Sequence, residues 1–547
     1  MLGGCASRGV SREYYGTTEP FAAEAVYFVV TDRFVNGDTG NDQREQAAGR
    51  WHTFDRPIAG PDGESDNIGY LGGDFRGVLD NADYLKDLGF SAVWITPIVD
   101  NPDEAFSGGD APSWGSQWTD QGKTGYHGYW GVNFYRLDEH LPSPGLDFAG
   151  FTQAMHARGL KVVLDIVANH GSPAFGMDPP QPKFGRVYCA DGTLLADHQN
   201  LAPAQLDPVH EPLHRFYKRE VELAQLSNFD ETSPEVMDYL VGAYLQWIEQ
   251  GADAFRIDTV SLMPPAFWKA FGERIRARHP GYFLFGEAFN YDPAAIAQYT
   301  WPDGGGMSVL DFPLKQGLAT VFGKTGGDYA ALAQALFLEG GPYRNPYELM
   351  TFYDNHDMAR LDADDAGFID AHNFLFTARG IPVIYYGSEV GFMRGRAEHA
   401  GNRNYFGQER IAAAKSSTIY QNLRRIARIR AASPALQRGL QLNLELSGDR
   451  AAFYRVYQRG DAQQIALVLL NKGNAAQAFR ITELLQAGTW RSAVDGSEQR
   501  IGPQGMLSAE VPAHGVQVWL LDAPVSDARL RLRLDPLVRE ARRTTGE

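Results

Sequence analysis

At 547 residues the chain is too long for one compact core, and its 44% hydrophobic and 21% charged content is that of a folded protein of two or three domains. A formal net charge of −17 argues against nucleic acid, whose phosphates require a basic face, so no nucleic acid is expected. The two cysteines, Cys5 and Cys189, cannot form a disulfide framework, and no apolar run reaches the roughly 18 residues that span a bilayer.

The chain starts with Leu2-Gly3-Gly4-Cys5, which resembles the end of a bacterial lipoprotein signal, where the cysteine becomes lipidated; a chance match is the alternative. The polar residues up to 20 then read as a tether, and an exported protein, periplasmic or tethered to the outer membrane through Cys5, is the expectation.

Eight β-rich runs follow, separated mostly by helical patterns. They are Ala25–Val30, Ser91–Thr96, Lys161–Val167, Ala254–Asp258, Tyr282–Glu287, Ser308–Phe312, Leu349–Asp354 and Ile381–Tyr386. Their near-continuous apolar character suits parallel strands covered on both faces. Val78, Ala82, Leu85 and Leu88 form one helical stripe between the first two, and Phe148, Phe151 and Met155 form another before the third. The rhythm predicts an α/β fold, a (β/α)8 TIM barrel, over residues 21–170 and 229–432. The Pro- and Gly-rich residues 171–228 are too long for a loop and read as an inserted subdomain over the C-terminal face of the barrel. Alternating segments over 433–523 predict an antiparallel β-sandwich. The Arg-rich tail, 524–547, carries a period-2 pattern from Arg529 to Leu534, which reads as an added edge strand or a disordered extension.

Polar residues collect where these strands end. The third ends in Asp165-Ile166-Val167-Ala168-Asn169-His170, the fourth in Arg256-Ile257-Asp258, the fifth in Gly286-Glu287 and the seventh in Asp354-Asn355-His356-Asp357. A single Asp closing a strand is usually a turn or cap residue. Three acids at one end of one barrel repel each other, which folding does not need but a developing cation does. Cleavage of a glycosidic bond passes through such a cation and uses two carboxyl groups about 5–5.5 Å apart in retaining enzymes. Arg256 lies two residues before Asp258 on one strand, hence on the same face. It is expected to hold Asp258 ionised, while neighbouring acids push Glu287 upward.

The segments DIVANH, GADAFRIDTV, FLFGEAF and FYDNHD, with Gly72-Gly73-Asp74-Phe75 and Tyr126-His127-Gly128-Tyr129-Trp130, resemble the signature segments of the α-amylase family, in family order from about Val26 to Ala432. The resemblance implies a retaining glycoside hydrolase acting on α-glucans or maltooligosaccharides, with Asp258 as nucleophile, Glu287 as acid/base and Asp357 as the carboxylate gripping the reacting sugar. Asp165 and Arg256 match the supporting pair, His170 and His356 the ligands of sugar hydroxyls, Tyr129 the stacking tyrosine and His127 its neighbour. The amino-terminal part is most similar to cyclodextrin glycosyltransferases and related bacterial amylases. On that resemblance Asn36, Asp38, Asn41, Asp42, Gly72 and Asp74 form a Ca2+ loop, and Asn169 matches a second Ca2+ ligand whose acidic partner is replaced by Leu226-Ser227-Asn228. Ser261-Leu262 stands where many members carry a Lys-His pair, which puts a long endo-acting cleft and efficient transglycosylation in doubt. A cyclomaltodextrinase, an α-glucosidase and a sugar-binding homologue without activity are the other readings. The last would have lost one or more of the three acids, all of which are present.

Overall fold

All eight apolar runs form strands in the computed structural model, which describes residues 12–541. They are β1 (Val26–Val29), β2 (Ala92–Ile95), β3 (Lys161–Ile166), β4 (Ala254–Ile257), β5 (Phe283–Gly286), β6 (Ser308–Val309), β7 (Met350–Thr351) and β8 (Ile381–Tyr385). Every residue of β1, β2, β4, β5 and β8 is buried, as strands covered on both faces require. The strands pair in parallel in the order β6-β5-β4-β3-β2-β1-β8-β7, and a parallel bridge from Leu310 to Met350 joins the two ends into a closed barrel. Aromatic rings fill its interior: Phe28 stacks on Trp94 with centroids 3.8 Å apart, and Trp94 meets Phe285 edge-on.

The expected helical stripe from Val78 to Leu88 is buried as read, but the backbone breaks at Asn81, giving helices Phe75–Asp80 and Ala82–Leu88. The covering lobe is more composite than one insertion. Phe106 and Trp130, from the long β2–β3 connection, share a small core with Met177, Phe184 and Leu226 of the 171–228 segment. After the helix Thr418–Ala431, a six-stranded antiparallel sheet and a two-stranded one pack over a separate core containing Leu467, Trp490 and Trp519.

The tail departs from both sequence expectations. Ala528–Ala541 is a helix, despite Pro536 inside it. Leu530, Leu534, Leu537 and Ala541 recur at helical spacing and are buried against the C-terminal core, whereas Leu532 is 72% exposed. Burial of one stripe outweighed the local alternation. Asp535 also ties the chain's start to this helix, 2.9 Å from Arg12. Among the described residues no helix is long and apolar enough to cross a membrane. The lipidation expected at Cys5 lies outside the described residues.

Candidate active site

Strand register brings the reactive groups together. β4 runs beside β3 with Arg256 abreast of Asp165, and beside β5 with Ile257 abreast of Gly286. Asp258 and Glu287 are therefore the next residues on adjacent strands. Their backbones continue the ladder: Asp258 N–H donates to Ile166 O at 2.9 Å and Glu287 N–H to Ile257 O at 2.8 Å. Thr259 then adopts φ 47°, a left-handed conformation that costs a β-branched residue roughly 1–3 kcal/mol and turns the chain sharply away behind Asp258.

One guanidinium organises the acids. Arg256 Nη1 donates to Asp165 Oδ1 at 2.8 Å and to Asp258 Oδ1 at 2.9 Å, and Nη2 lies 2.7 Å from Glu287 Oε2, an ion contact outside hydrogen-bonding direction. Asp165 accepts further from Tyr129 OH at 2.8 Å and Trp94 Nε1 at 3.0 Å, which anchors it as a support. Glu287 Oε1 is buried with no hydrogen-bond partner among the described residues. Burial is the largest cause lifting the Glu287 carboxyl well above the ordinary range; Arg256 opposes it, and Asp357, Asp258 and Asp165 add to it. The expected upward push is present, with burial ahead of the neighbouring acids.

Asp357 is reached by Arg403 Nη2 at 2.8 Å and by His356 Nε2 at 3.1 Å, and its backbone N–H donates to Asn355 Oδ1 at 2.9 Å. The imidazoles here are neutral at pH 7, because burial lowers His127, His170 and His356 below the ordinary histidine value. His127 Nδ1 accepts from Tyr129 N–H at 3.1 Å, which leaves its Nε2 to donate. Nδ1 of both His170 and His356 is buried without a hydrogen-bond partner among the described residues. The rings of Tyr129 and His356 lie parallel, 5.4 Å apart.

Asp258, Glu287, Asp357, His127, Tyr129, His170 and His356 all border one cleft of about 340 Å3, with Asp165 and Arg256 directly behind. Sequence reading missed much of its wall: Trp118, Asp120, Lys123, Phe289, Glu398 and Arg403. Apart from Phe289, which closes the FLFGEAF segment, they come from loops without strand or motif signals. Trp118, exposed and at φ 59°, left no mark in the sequence beyond being aromatic.

The expected metal loop is compact. Asp74, which caps the helix Phe75–Asp80, accepts from the N–H groups of Gly37, Asp38 and Gly77 and from Asn41 Nδ2. It is committed first to shaping the loop. Asp42 Oδ1 accepts from Asn36 Nδ2 and Asp42 Oδ2 from Arg44. Asn36 Oδ1 and Asn41 Oδ1 are buried with no donor among the described residues, which fits an oxygen-seeking cation. Gly72 stands at φ 85°, where a Cβ would come within 2.4 Å of Asp42 Oδ1. Asp38 turns its carboxylate to its own Gly40 N–H. Away from this loop, both amide atoms of Asn169 are buried without partners among the described residues. A further acidic group, Asp100, Asp103 and Glu139, already holds a cation: Lys183 Nζ, 2.6 Å from Asp103.

The catalytic-domain model of the α-amylase family matches residues 28–183 and 208–419. A cyclomaltodextrin glucanotransferase of Geobacillus stearothermophilus is 30% identical over 528 residues, covering 92% of this chain and 68% of its own length. An α-amylase of Niallia circulans is 28% identical and covers 89% of each chain. Among solved structures, a cyclomaltodextrin glucanotransferase with a three-domain ABC arrangement is 29% identical with a TM-score of 0.73, covering 91% of this chain and 99% of its own. This chain spans 63–73% of the length of seven such bacterial glucanotransferases.

Proposed function

Because the chain belongs to the α-amylase family, enzymes that act on α-1,4-glucans, we propose that it is a retaining hydrolase of short maltooligosaccharides. The observation that carries this reading is the single guanidinium of Arg256 in contact with both Asp258 and Glu287. It draws the two carboxyl groups to one side of the cleft, as the close spacing of a retaining pair requires. In the first step a carboxylate oxygen of Asp258 bonds to the anomeric carbon as the bond to the leaving oxygen breaks, and Glu287 gives that oxygen its proton. In the second, Glu287 takes a proton from water, whose oxygen displaces Asp258 and restores the original configuration. Asp357 and the neutral His170 and His356 hold the ring hydroxyls, and Tyr129 supplies the stacking face.

Substrate length follows from the leaving side. Ser261 is short, and Leu262, Leu223, Leu226 and the half-exposed Phe289 offer no hydrogen bond to a sugar hydroxyl. Without a charged donor, worth roughly 1.5–3 kcal/mol, the leaving-side subsites are weaker by about tenfold or more. Specificity constants are therefore expected to be higher for maltotriose through maltoheptaose than for soluble starch, with glucose and maltose as early products. Starch as the best substrate, with long oligosaccharides appearing first, would overturn this. The likeness to cyclomaltodextrin glucanotransferases supports a second reading, transfer to a sugar acceptor, against which Ser261-Leu262 weighs. Products longer than the substrate, formed from maltotriose, would establish it.

Calcium belongs to this reading as a structural ion. Asn36 and Asn41 offer it side-chain oxygens that lack a donor among the described residues, within a loop that Asp74 shapes. A metal bound only by the folded state stabilises by mass action, about 2.7 kcal/mol at a hundred times its dissociation constant. Excess chelator is therefore expected to lower the melting temperature, and added Ca2+ to restore it. An unchanged melting curve, with no metal found by elemental analysis, would remove the site.

A further inference from the structure

Behind Asp357 runs a buried row of alternating charges that the reaction as described does not use. Arg403 Nη2 donates to Asp357 Oδ1 at 2.8 Å, and its Nη1 lies 3.2 Å from Glu398 Oε1. Lys123 Nζ lies 3.3 Å from the same Glu398 oxygen and 2.8 Å from Asp120 Oδ1. The side chains of Lys123, Glu398 and Arg403 are only 5%, 12% and 9% exposed. Arg403 is held further by its Nε, which donates to His356 O at 3.0 Å, and by Tyr126 OH at 3.5 Å.

Burying such ions costs several kcal/mol each, and an apolar set of similar volume would stabilise the fold as well or better. Stability alone therefore gives no reason for the row. Its fixed end is the carboxylate that must meet two sugar hydroxyls in one orientation. We propose that Lys123 and Glu398 are positioning residues for Asp357: Lys123 shares the charge of Glu398, Glu398 holds one arm of Arg403, and the other arm fixes the orientation and charge of the Asp357 carboxylate. This rests on the role given to Asp357 above.

The groups facing Asp357 are Arg403, His356, Arg256, Asp258, Glu287 and Glu398. Burial lifts Asp357 to about 6, with Arg403 and Arg256 opposing and Asp258 and Glu398 adding. Glu398 itself is held well below the ordinary range, against its burial, by Lys123 and Arg403. Two substitutions on the row should therefore move Asp357 in opposite directions. Lys123→Met leaves Glu398 leaning on Arg403 and on His399, whose Nε2 is 3.9 Å away, so less positive charge reaches Asp357. Glu398→Gln leaves Asp357 as the one carboxylate that Arg403 pairs with among the described residues.

The test uses the full chain with maltotriose, following kcat, KM and the pH dependence of kcat/KM. Both variants are expected to lose about tenfold in kcat with KM changed by no more than about twofold, because the grip tightens only in the transition state. The acid limb of the profile moves up in Lys123→Met and down in Glu398→Gln, and stays in place in Lys123→Arg, which keeps the charge. Limbs that move together or not at all, a limb in Lys123→Arg that follows Lys123→Met, or a loss confined to KM would overturn the proposal; the last marks direct contact with sugar. Asp357→Asn separates the two layers. Undiminished turnover there defeats the role of Asp357 itself, whereas an inactive Asp357→Asn beside unmoved limbs defeats only the row behind it.

Discussion

Asp258→Asn is expected to lower kcat by several orders of magnitude while the melting temperature and the affinity for maltotriose stay close to those of the parent. Asn has nearly the shape of Asp, and Arg256 keeps Asp165 and Glu287 as partners, so the packing around the site survives. No second carboxylate can replace the missing nucleophile. Asp165 is fully buried behind Arg256 and occupied by Tyr129 and Trp94, and Asp357 is held by Arg403. Binding persists because the histidines, Tyr129 and Asp357 are untouched. The comparison is single-turnover cleavage alongside calorimetric binding of maltotriose. A variant that keeps more than about a tenth of the parent rate would show that Asp258 does not form the covalent bond.

Glu287→Gln is the second large effect, and it depends on the leaving group. Glutamine cannot supply an acidic proton, so cleavage of maltotriose, whose leaving oxygen is a poor one, is expected to fall by about 10²–10⁴-fold. An α-maltosyl fluoride needs little protonation of its leaving group, so its first step should fall far less. The pH profile gives an independent sign. Glu287 works as an acid only while protonated, and burial, with Arg256 opposing, raises its pKa. In the parent, activity is therefore kept to a higher pH than an ordinary glutamate allows and is lost as pH rises through the raised value. That alkaline limb should vanish in Glu287→Gln. Equal losses on both substrates, with the limb retained, would move the acid role to another residue.

The clustering of Arg256, Asp258 and Glu287 was legible in the sequence because strands are periodic, whereas their roles rest on the resemblance to the α-amylase family. Arg256 and Asp258 share a face two residues apart, and the strand ends before Asp258 and Glu287 fix where both emerge. Arg403, Glu398, Lys123 and Trp118 were not legible. They sit on long loops whose contacts are set by packing across distant parts of the chain, and Lys123 meets Glu398 across 275 positions. The tail misled for a different reason. From Arg529 to Leu534 the alternation has a period of 2, but only the stripe of Leu530, Leu534 and Leu537 finds a core to cover, and its spacing is helical. Asp74 was read as an ion ligand, whereas its four N–H donors show that it also builds the loop.

Double displacement through Asp258 and Glu287 is read out by the anomeric configuration of the first product. Proton NMR during the first moments of maltotriose cleavage follows the newly released sugar before mutarotation mixes the anomers. Two displacements at the same carbon predict that the α-anomer appears first and the β-anomer grows in later. Initial release of the β-anomer would mean a single displacement by water and would contradict the covalent role of Asp258.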